Sequence, residues 1–181
     1  MAQPNIARLQ HLSLEVSDTD RSVAFYRDIF GMKLTERHPA HEVPAIPIEL
    51  TFLRIGVQHH DLVLVHNPDK TYRPRPTRPE DDLDGSPSFH HFAFECDSQE
   101  DWQAVVDRLH EKEVPIVRGP VVHSAYDPRG DGSWGENEAI YCLDPDGHRI
   151  EIFWALATVD ADGQQINHEG QIVPGVTTAE I

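Results

Sequence analysis

The sequence predicts an α+β fold in which two βαβββ modules form a cupped, barrel-like mixed sheet with a central metal site. Two observations predict this fold: a strand motif that begins at His11 recurs at His91, and each copy is followed by one helix pattern and three strand patterns. A third observation, 12 histidines scattered along the chain rather than clustered in a tag, indicates that the fold carries chemistry.

The recurring motif is an alternating strand that opens with a histidine. It reads His-Leu-Ser-Leu-Glu-Val at 11–16 and His-Phe-Ala-Phe-Glu-Cys at 91–96. Apolar residues that alternate with polar or small ones are typical of a half-buried strand, in which one face is apolar and the other carries the histidine. The two modules are therefore expected to begin with equivalent strands.

Each opening strand is followed by signals for a helix. In a capping box, a hydroxyl accepts a hydrogen bond from a backbone N–H at the start of the helix, and an acidic or amide residue follows three positions later. We expect helices over about 21–30 and 100–111, the first of them ended by Gly31. Two pairs fit the capping pattern: Ser17 with Asp20, and Ser98 with Asp101.

Three strand patterns follow each predicted helix, so that both copies have the order β-α-β-β-β. The last strands of the two copies superpose, and Val63 of the first copy then corresponds to Glu151 of the second. The predicted strands lie at 33–35, 48–53 and 61–65 in the first copy, and at 115–117, 139–143 and 149–154 in the second.

These elements divide the chain into modules at 8–66 and 89–156, which we expect to form one structural domain. Between them lies a linker at 67–88, rich in proline and acidic residues. Residues 157–181 are a C-terminal tail with weak periodicity. For that tail the sequence leaves open both an arm that packs on a neighbour and a loose segment.

The composition excludes several classes of partner. The formal net charge is −16, from 15 Lys and Arg against 31 Asp and Glu, and a field of that sign repels nucleic-acid phosphates and anionic lipids. No apolar run approaches the roughly 18 residues of a membrane-spanning helix. Cys96 and Cys142 are too few for a disulfide framework. We therefore expect a cytoplasmic protein with no nucleic-acid or membrane partner.

Three residues form a candidate metal site. His11 and His91 open equivalent strands, so a pseudo-twofold relation between the modules would make them face each other. Glu151 points to the same side if Ile150 and Ile152 pack on the other face of the last strand. Two imidazoles and one carboxylate, with further positions open, suit ferrous iron in oxygen chemistry, although spacing alone does not identify the metal.

A structural role is the alternative for each of these residues. A single strand histidine is more often a hydrogen-bonded structural residue than a ligand, and only the repeat relation raises the case for metal. Val63 stands where a fourth ligand would lie, which favours open coordination positions. His59 and His90, each beside a candidate histidine, are expected to point to the opposite face.

Three motifs connect these positions to a known family: His-His-Asp-Leu at 59–62, Phe-His-His-Phe at 89–92, and Leu-Asp-Pro-Asp-Gly-His-Arg-Ile-Glu at 143–151. They resemble motifs of the vicinal-oxygen-chelate superfamily, which includes glyoxalase I, bleomycin-resistance proteins and dioxygenases. The resemblance covers nearly all of 8–160. It is most similar to the single-domain type I extradiol ring-cleaving dioxygenases that act on dihydroxybiphenyl or catechol.

The resemblance implies roles for residues in both modules. His60 matches an acid–base catalyst, and Tyr141 matches a tyrosine that hydrogen-bonds a substrate oxygen. His123, which follows Arg-Gly-Pro at 118–120, matches a further catalytic histidine. The metal ligands that it implies are the three already selected from the repeat: His11, His91 and Glu151.

The function that the resemblance implies is extradiol cleavage of a catechol, for example a bicyclic one, by O₂ at Fe(II), with Mn(II) as the alternative metal. Two other classes stay open: another metal-dependent enzyme of the glyoxalase, epimerase or thiol-transferase type, and a non-catalytic resistance protein that binds a small molecule. Metal content would separate the last class from the others. A homo-oligomer, a dimer or higher, is the default expectation.

One segment departs from the resemblance. The stretch at 124–138 is longer than expected for the family. We expect it to form a lid over the pocket, with Trp134 available to stack on an aromatic ring.

Overall fold

The computed structural model describes residues 8–78, 89–133, 135–162 and 164–173. The chain divides into two compact units, residues 1–75 and 76–181. Residues 79–88 of the predicted linker, Trp134 and the end of the tail lie outside the described residues.

The first unit is a four-stranded sheet with one helix. The strand order is β1-β4-β3-β2, with β1 parallel to β4 and the other pairs antiparallel. This arrangement is the predicted βαβββ module. Its elements are β1 (Leu12–Glu15), α1 (Thr19–Phe30), β2 (Lys33–His38), β3 (Glu49–Arg54) and β4 (Leu62–His66).

The second unit repeats this architecture. Its strand order is β5-β8-β7-β6, again with one parallel pair, β5 with β8. The predicted α+β fold with two βαβββ modules is confirmed. The elements are β5 (Phe92–Cys96), α2 (Gln99–Glu111), β6 (Ile116–His123), β7 (Asn137–Leu143) and β8 (Arg149–Ala155).

The strand registers of the two units are equivalent. Ser13 of β1 pairs with Val63 of β4, and Ala93 of β5 pairs with Glu151 of β8. The alignment of the two sequence copies likewise matches Val63 with Glu151. Val63 is therefore the structural counterpart of Glu151.

The two helices begin at different kinds of cap. Ser98 caps α2 as predicted, because its hydroxyl accepts from the backbone N–H of Asp101 at 3.1 Å. The prediction for α1 is wrong by one residue, since Asp18 is the cap and its carboxylate accepts from the N–H of Arg21 at 2.9 Å. Ser17 accepts from the Arg21 side chain instead.

Each sheet turns one apolar face toward its helix. In the second unit, Trp102, Val106 and Leu109 of α2 are buried, and the Trp102 indole N–H donates to the Ile152 carbonyl at 3.0 Å. Ile150 is also fully buried. Because strand residues alternate, Glu151 between these isoleucines lies on the opposite, polar face.

The tail contains three short strands that the sequence did not predict. They are β9 (Ala157–Val159), β10 (Gln165–Asn167) and β11 (Ile172–Val173), which form an antiparallel sheet. His168 of this segment stacks on Trp154 of β8, with ring centroids 5.3 Å apart. Strands of two or three residues are too short for a period-2 pattern to emerge.

Both cysteines are free thiols. Cys142 is buried and Cys96 is half-buried. Burial raises the pKa of Cys142 to about 12, so this thiol stays protonated near neutral pH. Among the described residues, no helix is both long and apolar enough to cross a bilayer.

Candidate metal and catalytic site

A cavity of about 360 Å³ opens on the polar face of the second unit's sheet. Residues of β7, β8 and the segment just before β5 form its floor, and residues of β6 with the loop that follows form one wall. Four of the predicted site residues line this cavity: His91, His123, Tyr141 and Glu151.

His91 and Glu151 form the centre of the cavity. The Nε2 atom of His91 lies 3.0 Å from Oε2 of Glu151, and the carboxylate is nearly buried. Burial lowers the pKa of His91, although the negative charge of Glu151 acts in the opposite direction. The lowered pKa favours a neutral imidazole. A neutral imidazole beside a carboxylate is a donor set suited to a divalent metal ion.

Tyr141 pairs with Glu151 across β7 and β8. Burial, reinforced by Glu151, raises the pKa of Tyr141 to about 12. Its hydroxyl is therefore a hydrogen-bond donor at neutral pH. The guanidinium carbons of Arg149 and Arg118 lie 4.8 Å and 5.7 Å from the centre of its ring. Tyr141 therefore lies between one carboxylate, which raises its pKa, and two guanidinium groups, which oppose that rise.

His123 ends β6 and is buried. Its Nε2 lies 3.0 Å from the hydroxyl of Tyr141. Its Nδ1 lies 2.9 Å from Oγ of Ser133 and 3.1 Å from Oδ2 of Asp131. Both of these partners belong to the long segment between β6 and β7, and sequence reasoning did not identify them.

That segment is held by hydrogen bonds at its base. The Ser124 hydroxyl donates to Oε2 of the buried Glu136 at 2.8 Å, and the N–H of Gly132 donates to the Ser124 carbonyl at 3.0 Å. Gly130 packs so closely that a Cβ atom there would lie 2.2 Å from the same carbonyl. The described part of the segment is a fixed wall of the cavity. Its role as a lid stays a prediction, since Trp134 lies outside the described residues.

The first unit holds the other two predicted residues, His11 and His60. Their ring centroids lie 4.6 Å apart. Gln10 joins them, since its side-chain oxygen lies 2.6 Å from Nδ1 of His11 while its side-chain nitrogen donates to the His60 carbonyl. Phe52 packs against His60, and partial burial lowers the pKa of His60, with further effects of His11 and His59.

Each neighbouring histidine contacts the candidate histidine beside it through a pair of Nδ1 atoms. His59 contacts His60 through their Nδ1 atoms at 2.8 Å and approaches Glu36 at 3.5 Å. The prediction that His90 points away from the site is wrong, because His90 lines the cavity and contacts Nδ1 of His91. Alternation does not apply to His90, which precedes the first residue of β5.

Neither unit by itself completes the predicted triad. Within the described part of each unit, no group of three or more His, Cys, Asp or Glu side chains is arranged to hold a metal ion. The predicted set takes His11 from the first unit and His91 and Glu151 from the second. Its assembly stays a prediction.

Comparison with known proteins places the chain in a family. The sequence model of the Glyoxalase/Bleomycin resistance protein/Dioxygenase superfamily matches residues 8–152. A probable lactoylglutathione lyase of Synechocystis is 28% identical over 84% of this chain and 98% of its own length. Metallothiol transferase FosB of Staphylococcus epidermidis is 30% identical over 81% of each chain.

A third relative is a dioxygenase. Biphenyl-2,3-diol 1,2-dioxygenase of Metapseudomonas furukawaii is 24% identical over 89% of this chain. The match covers 45% of that enzyme, so the chain spans less than half of its length. These three relatives carry out different reactions.

Proposed function

Because the chain belongs to the Glyoxalase/Bleomycin resistance protein/Dioxygenase superfamily, we propose that it cleaves the ring of a catechol with O₂ at a ferrous ion. The observation that carries this proposal is the pairing of His91 with Glu151 at 3.0 Å, in a cavity shared with Tyr141 and His123. The bond that breaks lies beside the two hydroxyl groups, and both oxygen atoms of O₂ enter the product.

The residues of the second unit fit a divalent metal. A neutral imidazole and a buried carboxylate supply two of the donors in a facial set of two histidines and one carboxylate. His11 is the proposed third ligand. A ferrous ion held by these side chains supplies open coordination positions and the redox chemistry by which O₂ is activated. Members of the superfamily bind divalent metals such as iron, manganese, nickel and zinc.

The first proton transfer is assigned to His60. A catechol must lose a phenolic proton as it binds, and an imidazole takes and returns protons near neutral pH. His60 is half-buried, and Phe52 packs against its ring at a centroid distance of 5.0 Å. These contacts restrict the ring in a partly desolvated setting.

Tyr141 and His123 act on the substrate oxygens. The Tyr141 hydroxyl, kept protonated by burial, donates a charge-assisted hydrogen bond to a deprotonated catechol oxygen. His123 lies behind that hydroxyl at 3.0 Å, where its Nε2 takes the second phenolic proton by way of Tyr141 and returns it as the ring opens. Arg149 and Arg118 beside the Tyr141 ring stabilise negative charge on the substrate.

The cavity volume is consistent with a catechol. About 360 Å³ lies within the range of small-molecule sites. The biphenyl diol cleaved by the related dioxygenase makes a bicyclic catechol the first choice of substrate.

Anaerobic reconstitution with ferrous ion tests this function. The protein is expected to bind iron, and a panel of monocyclic and bicyclic catechols, added with O₂, is expected to yield a yellow ring-opened product. Manganese is the second ion to test. Iron binding without conversion of any catechol would reject ring cleavage, while absence of metal binding would reject a metalloenzyme altogether.

A second candidate is a metal-dependent thiol transfer or isomerisation, favoured by the FosB and lactoylglutathione lyase relatives. Val63 counts against the glyoxalase form, because glyoxalase I is expected to use a fourth protein ligand at the position equivalent to Glu151. Turnover of a thiol or hemithioacetal substrate, with no conversion of any catechol, would support this alternative.

A further inference from the structure

The long loop at 124–136 brings Asp131 to the far side of the His123 ring. His123 Nδ1 lies 3.1 Å from Oδ2 of Asp131, while Nε2 on the opposite edge lies 3.0 Å from the Tyr141 hydroxyl. A carboxylate, an imidazole and a phenol are thus in line from the loop into the cavity. The proposed function uses the imidazole and the phenol and leaves the carboxylate without a role.

The hydrogen bonds around Asp131 determine where the His123 proton lies. The Ser133 hydroxyl donates its hydrogen to Oδ1 of Asp131, so its oxygen has only lone pairs to offer to Nδ1 of His123. The Asp131 carboxylate also can only accept. Two acceptors converge on Nδ1, at 2.9 Å and 3.1 Å, and this arrangement is favourable only when Nδ1 carries the hydrogen.

Asp131 is itself held in place. Its backbone N–H donates to the Val122 carbonyl at 2.9 Å, and Oδ1 accepts from the N–H of Ser133 at 2.9 Å. Arg118, which faces the Tyr141 ring, lies 3.5 Å from Oδ2. These contacts hold the Asp131 carboxylate at the edge of the His123 ring.

We propose that Asp131 is the positioning residue that keeps the hydrogen on Nδ1 of His123 and thereby confines proton exchange to Nε2, on the side of Tyr141. The proposal deepens the proposed function and rests on it for its catalytic meaning. When His123 takes up a proton, only Nε2 is available, and when it releases one, the proton leaves toward the cavity. This assigns a purpose to the long segment, whose loop supplies the carboxylate.

Nitrogen-15 NMR of the histidine rings in the metal-free protein tests the proton position directly. At mildly alkaline pH, where imidazoles are neutral, His123 is expected to carry its hydrogen on Nδ1. His123→Gln identifies the signals. In Asp131→Asn the amide can donate as well as accept, so a larger fraction of His123 is expected to carry the hydrogen on Nε2.

Two control variants separate this role from general support of the loop. Asp127→Asn changes a carboxylate of the same loop that accepts hydrogen bonds from Arg129 rather than from His123, and it is expected to leave the His123 signals unchanged. Ser133→Ala removes the other acceptor and should preserve the Nδ1 hydrogen, because Asp131 remains. A wild-type hydrogen on Nε2, or an Asp131→Asn variant with wild-type signals, would overturn the proposal.

Kinetics of the iron-loaded enzyme provide the second measurement. Asp131→Asn is expected to lower kcat roughly 10- to 100-fold, by analogy with the loss of a hydrogen-bond partner from a metal-bound histidine. The KM for the catechol is expected to change little, since Asp131 does not touch substrate. An unchanged kcat would reject the catalytic role. If the wild-type protein cleaves no catechol, the proposed function fails, and the NMR comparison alone decides on Asp131.

Discussion

The two βαβββ units share a backbone plan and differ in what their polar faces carry. Equivalent registers pair Ser13 with Val63 in the first unit and Ala93 with Glu151 in the second. The first unit therefore has a buried valine where the second has a nearly buried carboxylate. The strand pairing is the same in both units, because this difference affects one side chain on one face of the sheet.

The units also differ in the connection between their second and third strands. In the first unit it spans 39–48 between β2 and β3, and in the second it spans 124–136 between β6 and β7. Only the longer connection supplies partners to a candidate catalytic histidine. The two units therefore differ at one strand position and in one connecting loop, and loops are segments in which a fold tolerates variation.

The largest expected effect is that of changing Glu151, at the strand position where the first unit has Val63. Glu151→Gln replaces a proposed anionic ligand by a neutral amide and is expected to abolish iron binding. Activity should fall by more than roughly 100-fold, which is the upper end of the range for losing a hydrogen-bond partner of a metal ligand. Iron content and initial rates measure both effects.

Glu95→Gln is the matched control for Glu151→Gln, because Glu95 is an exposed residue of the neighbouring strand β5. This variant is expected to keep its iron and its rate. Full iron occupancy in Glu151→Gln would remove this residue from the metal site.

His60→Gln tests whether the first unit contributes chemistry. The loss of a general base is expected to reduce turnover by the order of ~10²–10⁴ while iron stays bound. His110→Gln is the control, since His110 is an exposed residue of α2 that is not assigned to catalysis. Full activity in His60→Gln would restrict the chemistry to the second unit.

Core truncations test whether the two units are equally stabilised by their equivalent strands. Leu64 of β4 and Ile152 of β8 are both fully buried. Leu64→Ala and Ile152→Ala are each expected to lower the free energy of unfolding by roughly 2–5 kcal/mol. Chemical denaturation measures the change. Val159→Ala, at a residue 64% exposed, should alter it by less than about 0.5 kcal/mol.

The smallest expected effects concern the helix caps. Asp18→Ala and Ser98→Ala each remove a side-chain acceptor from the first turn, at a cost of about 0.5–2 kcal/mol in the free energy of unfolding. Thermal denaturation is sensitive enough to detect this. A larger cost for Ser17→Ala than for Asp18→Ala would contradict the assignment of the cap in α1.

Much of the fold and part of the site were predictable from the sequence. The period-2 strands, the helix spans and the equivalence of Val63 with Glu151 follow from local patterns that a duplicated chain repeats. The membership of His91, His123, Tyr141 and Glu151 in one cavity agrees with the roles implied by the resemblance. The same resemblance did not identify the residues that surround them.

The sequence by itself determined the strands and their equivalence in the two units. The alternation of side chains decides which residues lie on each face of a strand, and the repeat decides which positions of the two units correspond. Only the tertiary structure decided that Asp131 and Ser133 meet His123, that Arg149 and Arg118 flank Tyr141, and that the tail forms a small sheet. The physical reason is that these contacts depend on the path of connecting segments, whose conformation no periodic pattern records.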